Sequence, residues 1–156
     1  MMNFSHSTGY AIQALACLGA GEDGGRLCVI KDVAECSGVP APYLARVMSR
    51  LARHGIVIAK RGYRGGIALA RPAREITTLE IVEAMEGKEW AGECMFNIQR
   101  CGTDCPCPTQ RFWNDIRQRM EDKLRSLTLA DFVAAASHRG QAVVGRRGAQ
   151  PTRKAA

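Results

Sequence analysis

The chain has 156 residues, 46% of them hydrophobic and 24% charged, with a formal net charge of +7. That is the length of one domain, or of a small domain with an appendage, and no apolar run approaches the roughly eighteen residues a membrane span needs. The start, Met1-Met2-Asn3-Phe4-Ser5-His6, lacks a basic region followed by an apolar core, so a cytoplasmic protein without a secretory signal is expected. An odd count of seven cysteines then argues against a disulfide scaffold.

The charge is uneven. Residues 1–76 carry ten Lys/Arg against five Asp/Glu, residues 77–138 carry seven against ten, and residues 139–156 carry five against none. A basic half beside a mildly acidic one suggests a polyanion-binding module joined to something else. Three regions are expected on this basis: 1–76, 77–138 and a tail at 139–156.

Ser7 to Ala20 reads as a helix with Ala11, Ile12, Ala14, Leu15, Ala16 and Leu18 apolar, and Gly21 to Gly25 as the turn that ends it. Ile30 to Glu35 is a short second helix. Ser37-Gly38-Val39 follows, where Gly38 supplies the positive φ of a tight helix–helix turn. A third helix starts near Pro42, a residue that costs nothing at the first helical position. Leu44, Val47, Met48 and Leu51 form one buried stripe at i, i+3, i+4, i+7, and Arg46, Ser49, Arg50 and Arg53 lie opposite. Gly55 closes the helix, with His54 beside it interacting with the helix dipole. Cys17, Cys28 and Cys36 sit on or beside apolar helical positions and are expected to be buried small hydrophobes.

Next come two short apolar strands, Ile56–Ala59 and Gly66–Ala70. The tip between them, Lys60-Arg61-Gly62-Tyr63-Arg64-Gly65, carries three cations. Two helices about a Ser-Gly turn, an arginine face and a basic hairpin suggest a winged helix-turn-helix that binds double-stranded DNA, the alternative being a three-helix bundle with a plain solvent hairpin. A flexible basic tip of this kind follows a phosphate backbone or enters a minor groove.

At this point the residues resemble a known family. Ile30-Lys31-Asp32-Val33-Ala34-Glu35, Ser37-Gly38-Val39, Tyr43-Leu44, Gly55-Ile56-Val57 and Arg61-Gly62-x-x-Gly65-Gly66 are similar to the Rrf-type winged-helix transcriptional regulators (the IscR, NsrR and RirA group), from about Asn3 to about Val133. The resemblance implies a mainly α fold with a small β-wing and a long dimerisation helix. It places Tyr43, Arg46, Ser49 and Arg50 on the DNA-reading helix and Arg61 and Arg64 on the wing.

Thr77-Thr78-Leu79-Glu80 is a capping box, with Thr77 accepting from the N3 amide and Glu80 reaching back. Gly87 ends the helix that follows. Thr109 is placed to cap a long helix through Leu127, along which Phe112, Trp113, Ile116, Met120, Leu124 and Leu127 recur every three to four residues. A seam so narrow needs a partner. Its own domain would satisfy it, as would the same helix of a second chain; the resemblance implies the second, a homodimer suited to a palindromic operator. Thr128-Leu129-Ala130-Asp131 opens a last short helix, and Arg139 to Ala156, with no apolar period, is expected to be a disordered basic tail.

Between the capped helix and the long one lies Glu93 to Pro108, where Cys94, Cys101, Cys105 and Cys107 fall in the pattern C-x6-C-x3-C-x-C. Gly102, Pro106 and Pro108 make it a loop. Thiolates this dense belong to a metal site, an iron–sulfur site or a redox switch. Zinc fits poorly, because its usual pattern is two separated CxxC-like pairs. The resemblance aligns Cys94, Cys101 and Cys107 with the family's three cluster ligands and implies an iron–sulfur cluster of the [2Fe–2S] type. Gln110 stands where some members have a completing histidine, and Gly9 where others have a completing acid. The fourth ligand is therefore open, with Cys105 first, then His6, Asp104 and Glu93. No nucleotide-binding glycine motif, paired catalytic carboxylates or Ser/His/Asp set is present, so an enzyme is not expected. The function expected is a dimeric transcriptional regulator sensing iron, redox or nitric oxide status through the cluster. A thiol-switch regulator without a cluster and an iron–sulfur electron-transfer protein are the alternatives.

Overall fold

Small side chains place the first helix at the centre of the molecule. In α1 (His6–Gly19), Ala11, Ala14, Leu15, Ala16 and Leu18 are buried, and the alanines let α-helical neighbours approach closely from several sides. The structure, a computed structural model, describes residues 4–20, 26–92, 94–96 and 107–138. The turn expected at Gly21–Gly25 and the tail expected at 139–156 lie outside them.

The helix-turn-helix head follows in chain order. Helix α2 (Ile30–Ser37) ends at Gly38, whose φ of 71° is the left-handed conformation anticipated there. Helix α3 (Ala41–Arg53) has Pro42 in its first turn and buries Leu44, Val47, Met48 and Leu51, the expected stripe. Strands β1 (Val57–Lys60) and β2 (Gly66–Leu69) pair antiparallel, from Val57 opposite Leu69 to Lys60 opposite Gly66. Cys28 adds a further rung on the outer side of β2: its N–H donates to the Ile67 carbonyl at 2.8 Å, and the Ile67 N–H donates back at 2.9 Å. That rung also accounts for Gly66, since a Cβ there would stand 2.6 Å from the Cys28 carbonyl oxygen.

A 3₁₀ turn at Ala73–Glu75 leads to α4 (Thr78–Glu86), then α5 (Gln110–Ser126) and α6 (Leu129–His138). The capping box of α4 is formed in both directions, Glu80 N–H to Thr77 Oγ1 at 3.2 Å and Thr77 N–H to Glu80 Oε2 at 2.8 Å. Helix α6 opens with half of that arrangement, the Thr128 N–H donating to Asp131 Oδ2 at 2.7 Å. The two helix starts lie side by side: Thr78 N–H donates to the Leu127 carbonyl and Leu129 N–H to the Ile76 carbonyl, each at 2.8 Å. Helix α6 thereby returns to α1, where Gly19 makes room for it; a Cβ at Gly19 would lie 2.9 Å from Val133 Cγ2. The result is a core continuous across residue 76, with Leu15, Leu44, Ile81, Met85 and Leu129 in one cluster.

The cysteines of the head depart from expectation. Cys17 and Cys36 form a disulfide joining α1 to α2, with Cα atoms 6.2 Å apart. Both positions are apolar-facing, as the periodicity implied, but α1 and α2 pack so that the two faces meet and the side chains bond instead of merely filling space. Cys28 stays a half-buried thiol; burial pushes it above the ordinary thiol range against the opposing pull of Arg26.

Candidate nucleic-acid interface and cysteine loop

The outer face of α3 and the wing tip supply the basic surface. Arg46 and Ser49 are exposed on α3, opposite its buried stripe. Arg50 is exposed too, but its Nε donates to the Ala84 carbonyl at 2.7 Å, which ties the end of α3 to α4. Tyr43 faces the other way. Its hydroxyl pairs with Ser7 Oγ, and its ring meets Tyr10 edge-on at 5.6 Å, so it links α3 to α1.

On the wing, Arg61 and Arg64 are exposed, and the Arg64 guanidinium lies 5.8 Å from the centre of the Tyr63 ring, which is itself 95% exposed. The glycines explain the tip. Gly62 has φ 92°, and a Cβ at Gly65 would stand 2.3 Å from the Lys60 carbonyl oxygen, so neither position admits another residue without a shift of backbone. The tip thus presents its cations on a turn whose shape the glycines dictate.

The cysteine loop lies between α4 and α5. Cys94 and Cys107, near its two ends, are both half-buried, and they are near enough for Cys94 to push the Cys107 thiol up. Stronger influences act the other way: the Thr109 hydroxyl, 3.2 Å from Cys107 Sγ, and then the Thr109 backbone N–H hold Cys107 below the ordinary thiol range. This is where the expected cap goes. Thr109 is the N-cap of α5 but makes no side-chain bond to the helix, because its hydroxyl is engaged with sulfur. A thiol at a helix N-terminus with a hydroxyl donor is favoured as thiolate, the form that ligates metal. Cys101 and Cys105 fall outside the described residues, as do Glu93 and Asp104. His6 is exposed at the start of α1, Gly9 is exposed one turn later, and Gln110 opens α5. Among the described residues, no three His, Cys, Asp or Glu side chains cluster in a way that would hold a metal ion.

Contacts that periodicity could not show tie the loop's flanks to α5 and to the start of α1. Past α4, the Gly92 carbonyl accepts from Arg117 at 2.9 Å and from Trp113 Nε1 at 3.4 Å, which fastens the start of the loop to α5. At the end of α4, Glu86 Oε1 accepts from Ser5 N–H at 2.8 Å, Ser5 Oγ at 2.6 Å and the Thr8 hydroxyl. Phe4 packs against Trp90 with ring centres 5.4 Å apart. The beginning of α1 is therefore latched to the segment that enters the loop.

A winged helix-turn-helix whose connector opens into a cysteine loop ahead of a long amphipathic helix defines a class of DNA-binding transcriptional regulators. The chain belongs to the Rrf2 family: residues 4–135 match the family model described as "Iron-dependent Transcriptional regulator". It is 31% identical over 134 residues to an HTH-type transcriptional regulator of Aquifex aeolicus, covering 85% of this chain and 92% of the relative. It is 30% identical over 140 residues to the HTH-type transcriptional repressor NsrR of Streptomyces coelicolor, covering 86% and 90%. Among solved structures it resembles T. potens IscR, with TM-score 0.68 and 28% identity over 96% of this chain and 93% of that one. CymR of B. subtilis shares the fold, with TM-score 0.71 and 24% identity over 86% and 98%. These relatives are regulators of transcription rather than enzymes. No described helix is long and apolar enough to cross a membrane.

Proposed function

We propose that this regulator works as a homodimer on operator DNA and senses iron, redox or nitric oxide status through an iron–sulfur cluster of the [2Fe–2S] type. Cys94, Cys101 and Cys107 hold the cluster, and Cys105 is the first choice for the fourth ligand. The observation that carries the reading is the sulfur chemistry at the loop's ends: two half-buried cysteines within each other's field, one of them held toward the thiolate by Thr109. Thiolates are the ligands such clusters require, and a bound cluster would supply a redox-active and nitric-oxide-reactive centre.

The chain's own residues do the rest. Arg46 and Ser49 meet the major groove or its phosphates, Arg61 and Arg64 place the wing, and Arg50 and Tyr43 set the angle of α3 through Ala84 and Ser7. The half-buried seam of α5 (Ile116, Met120, Leu124) and the exposed Phe112 pair with the same helix of a second copy. A change in the loop acts on both of its flanks, the Gly92 carbonyl on α5 and Glu86 on α1, and so alters the spacing of the two reading helices. Such a shift requires the cluster to bind the two arrangements unequally.

The test is anaerobic purification with iron and sulfide assay and a visible spectrum, followed by DNA binding before and after cluster removal. A coloured protein whose affinity changes on removal is expected. Colourless, sulfide-free protein after reconstitution would end the proposal and leave the thiol switch. An unchanged DNA affinity of Cys101→Ala with and without iron would favour a regulator without a cofactor.

A further inference from the structure

The reading head contains a sulfur pair of its own, remote in sequence from the loop. Cys17 sits in the last turn of α1 and Cys36 in the last turn of α2, and they are bonded across a separation of 19 residues. Helix α2 has only eight residues, and Val33 is the one residue of it that is fully buried. Ile30, Ala34 and Cys36 pack against the core from its half-buried side. A short helix with so little buried surface depends heavily on a covalent tie, and α2 with its Gly38 turn sets the entry of α3. A gene regulator works beside the chromosome, where thiol buffers keep most cysteines reduced; disulfides found there are ones that open and close.

We propose that Cys17 and Cys36 are a redox modification site, a reversible dithiol–disulfide couple that clamps α2 onto α1 and acts independently of the cysteine loop. The oxidant is a peroxide. The thiolate of Cys36, the more accessible of the two, attacks one peroxide oxygen; the O–O bond breaks, leaving a sulfenic acid on Cys36 and a hydroxide that takes up the proton the thiol had shed and departs as water. The Cys17 sulfur then attacks Cys36 Sγ, the S–S bond forms, and the sulfenic oxygen leaves as a second water. The cysteines give up two electrons and two protons, and one hydrogen peroxide takes both. A small dithiol reverses the step by exchange through a mixed disulfide. Cys28 stays outside the couple, held in the wing by its rung to Ile67, with its Sγ directed to the Arg26 carbonyl at 3.6 Å.

The test uses the full chain with Cys94, Cys101, Cys105 and Cys107 replaced by alanine, so that failure of the cluster reading cannot affect the result. Hydrogen peroxide or dithiothreitol is applied, and thiols are then tagged with a maleimide and located by mass spectrometry. Cys28 alone is expected to be tagged after peroxide, and Cys17, Cys28 and Cys36 all after dithiothreitol. Amides of α2 should exchange roughly tenfold more slowly in the oxidised form, and a labelled mixed-sequence duplex should bind several-fold more tightly. In Cys36→Ser, peroxide should remove no tag. Peptide mapping of the unmodified chain, searching for the Cys17–Cys36 crosslink after peroxide, covers the case in which the alanine variant does not fold. Full tagging after peroxide, a link that dithiothreitol cannot open, loss of a tag in Cys36→Ser, or equal α2 exchange in both forms would each overturn the proposal.

Discussion

Helices α3 and α5 are built from the same plan, an apolar stripe with arginines around it, yet they are held in opposite ways. In α3 the stripe is finished inside the chain: Leu44 and Leu51 have no exposed surface, and Met48 and Val47 almost none. In α5 only Trp113 is buried, while Phe112 is 54% exposed and Ile116, Met120 and Leu124 are half-buried. Among the described residues its grip on the rest of the chain includes that tryptophan, the bonds to the Gly92 carbonyl and its packing on α4. The difference teaches that an amphipathic period specifies a helix and a face but not what covers it. A completed stripe fixes α3 within its own chain, whereas the stripe of α5 is left half-covered, as the proposed pairing with a second copy requires.

The contrast is sharpest in truncation experiments. Leu44→Ala should cost about 2–5 kcal/mol in urea unfolding, because the cavity lies among atoms that cannot collapse into it. Leu124→Ala should cost far less at low concentration and instead weaken self-association in sedimentation experiments. Equal losses of folding stability at the two sites would mean that α5 is covered by its own chain.

A second contrast lies within the basic surface. Gly65→Ala places a Cβ against the Lys60 carbonyl oxygen, a backbone atom that cannot swing away. The tip must reshape, at a cost of about 1–3 kcal/mol, and DNA binding should fall with it. Arg46→Ala on the more rigid α3 should leave stability unchanged. It should weaken duplex binding by roughly tenfold and lower the slope of log affinity against log salt by about one if the arginine meets a phosphate. An Arg46→Ala chain with wild-type affinity would remove this face of α3 from the interface.

Much of the head was legible because local chemistry and packing agree there. The Gly38 turn, the α3 stripe, the two strands and the Thr77–Glu80 capping box each depend on residues a few positions apart, and each is formed as its sequence implies. What was not legible depends on pairs far apart in the chain. Nothing near Cys28 announces a rung on Ile67, and nothing near Cys17 announces Cys36, since apolar spacing treats cysteine as filler. Thr109 shows a subtler limit. Its position is that of a cap, but a sulfur two residues earlier competes for the hydroxyl. In the cysteine loop, spacing singled out four cysteines as candidates, while the pull of Thr109 on Cys107 required coordinates.

The smallest expected effect probes the latch between the two regions. Burial pushes the Glu86 carboxyl up, but hydrogen bonds from Ser5 and Thr8 and the charge of Arg50 outweigh it and hold the group below the ordinary glutamate value. A carboxyl lowered by folding stabilises the folded state above its unfolded pKa and loses that contribution as pH falls through the folded value. Glu80 and Asp131, held low by their capping threonines and, for Glu80, by Arg71, contribute in the same direction. The Glu86 share must therefore be read as a difference. Between neutral pH and pH values below the carboxylate range, the wild-type chain should lose more stability in urea unfolding than Glu86→Gln. The amides at the start of α1 should lose exchange protection over the same window. If the two proteins respond to acid identically, Glu86 does not hold α1 to the end of α4, and a change in the loop has no route to the head through that carboxylate.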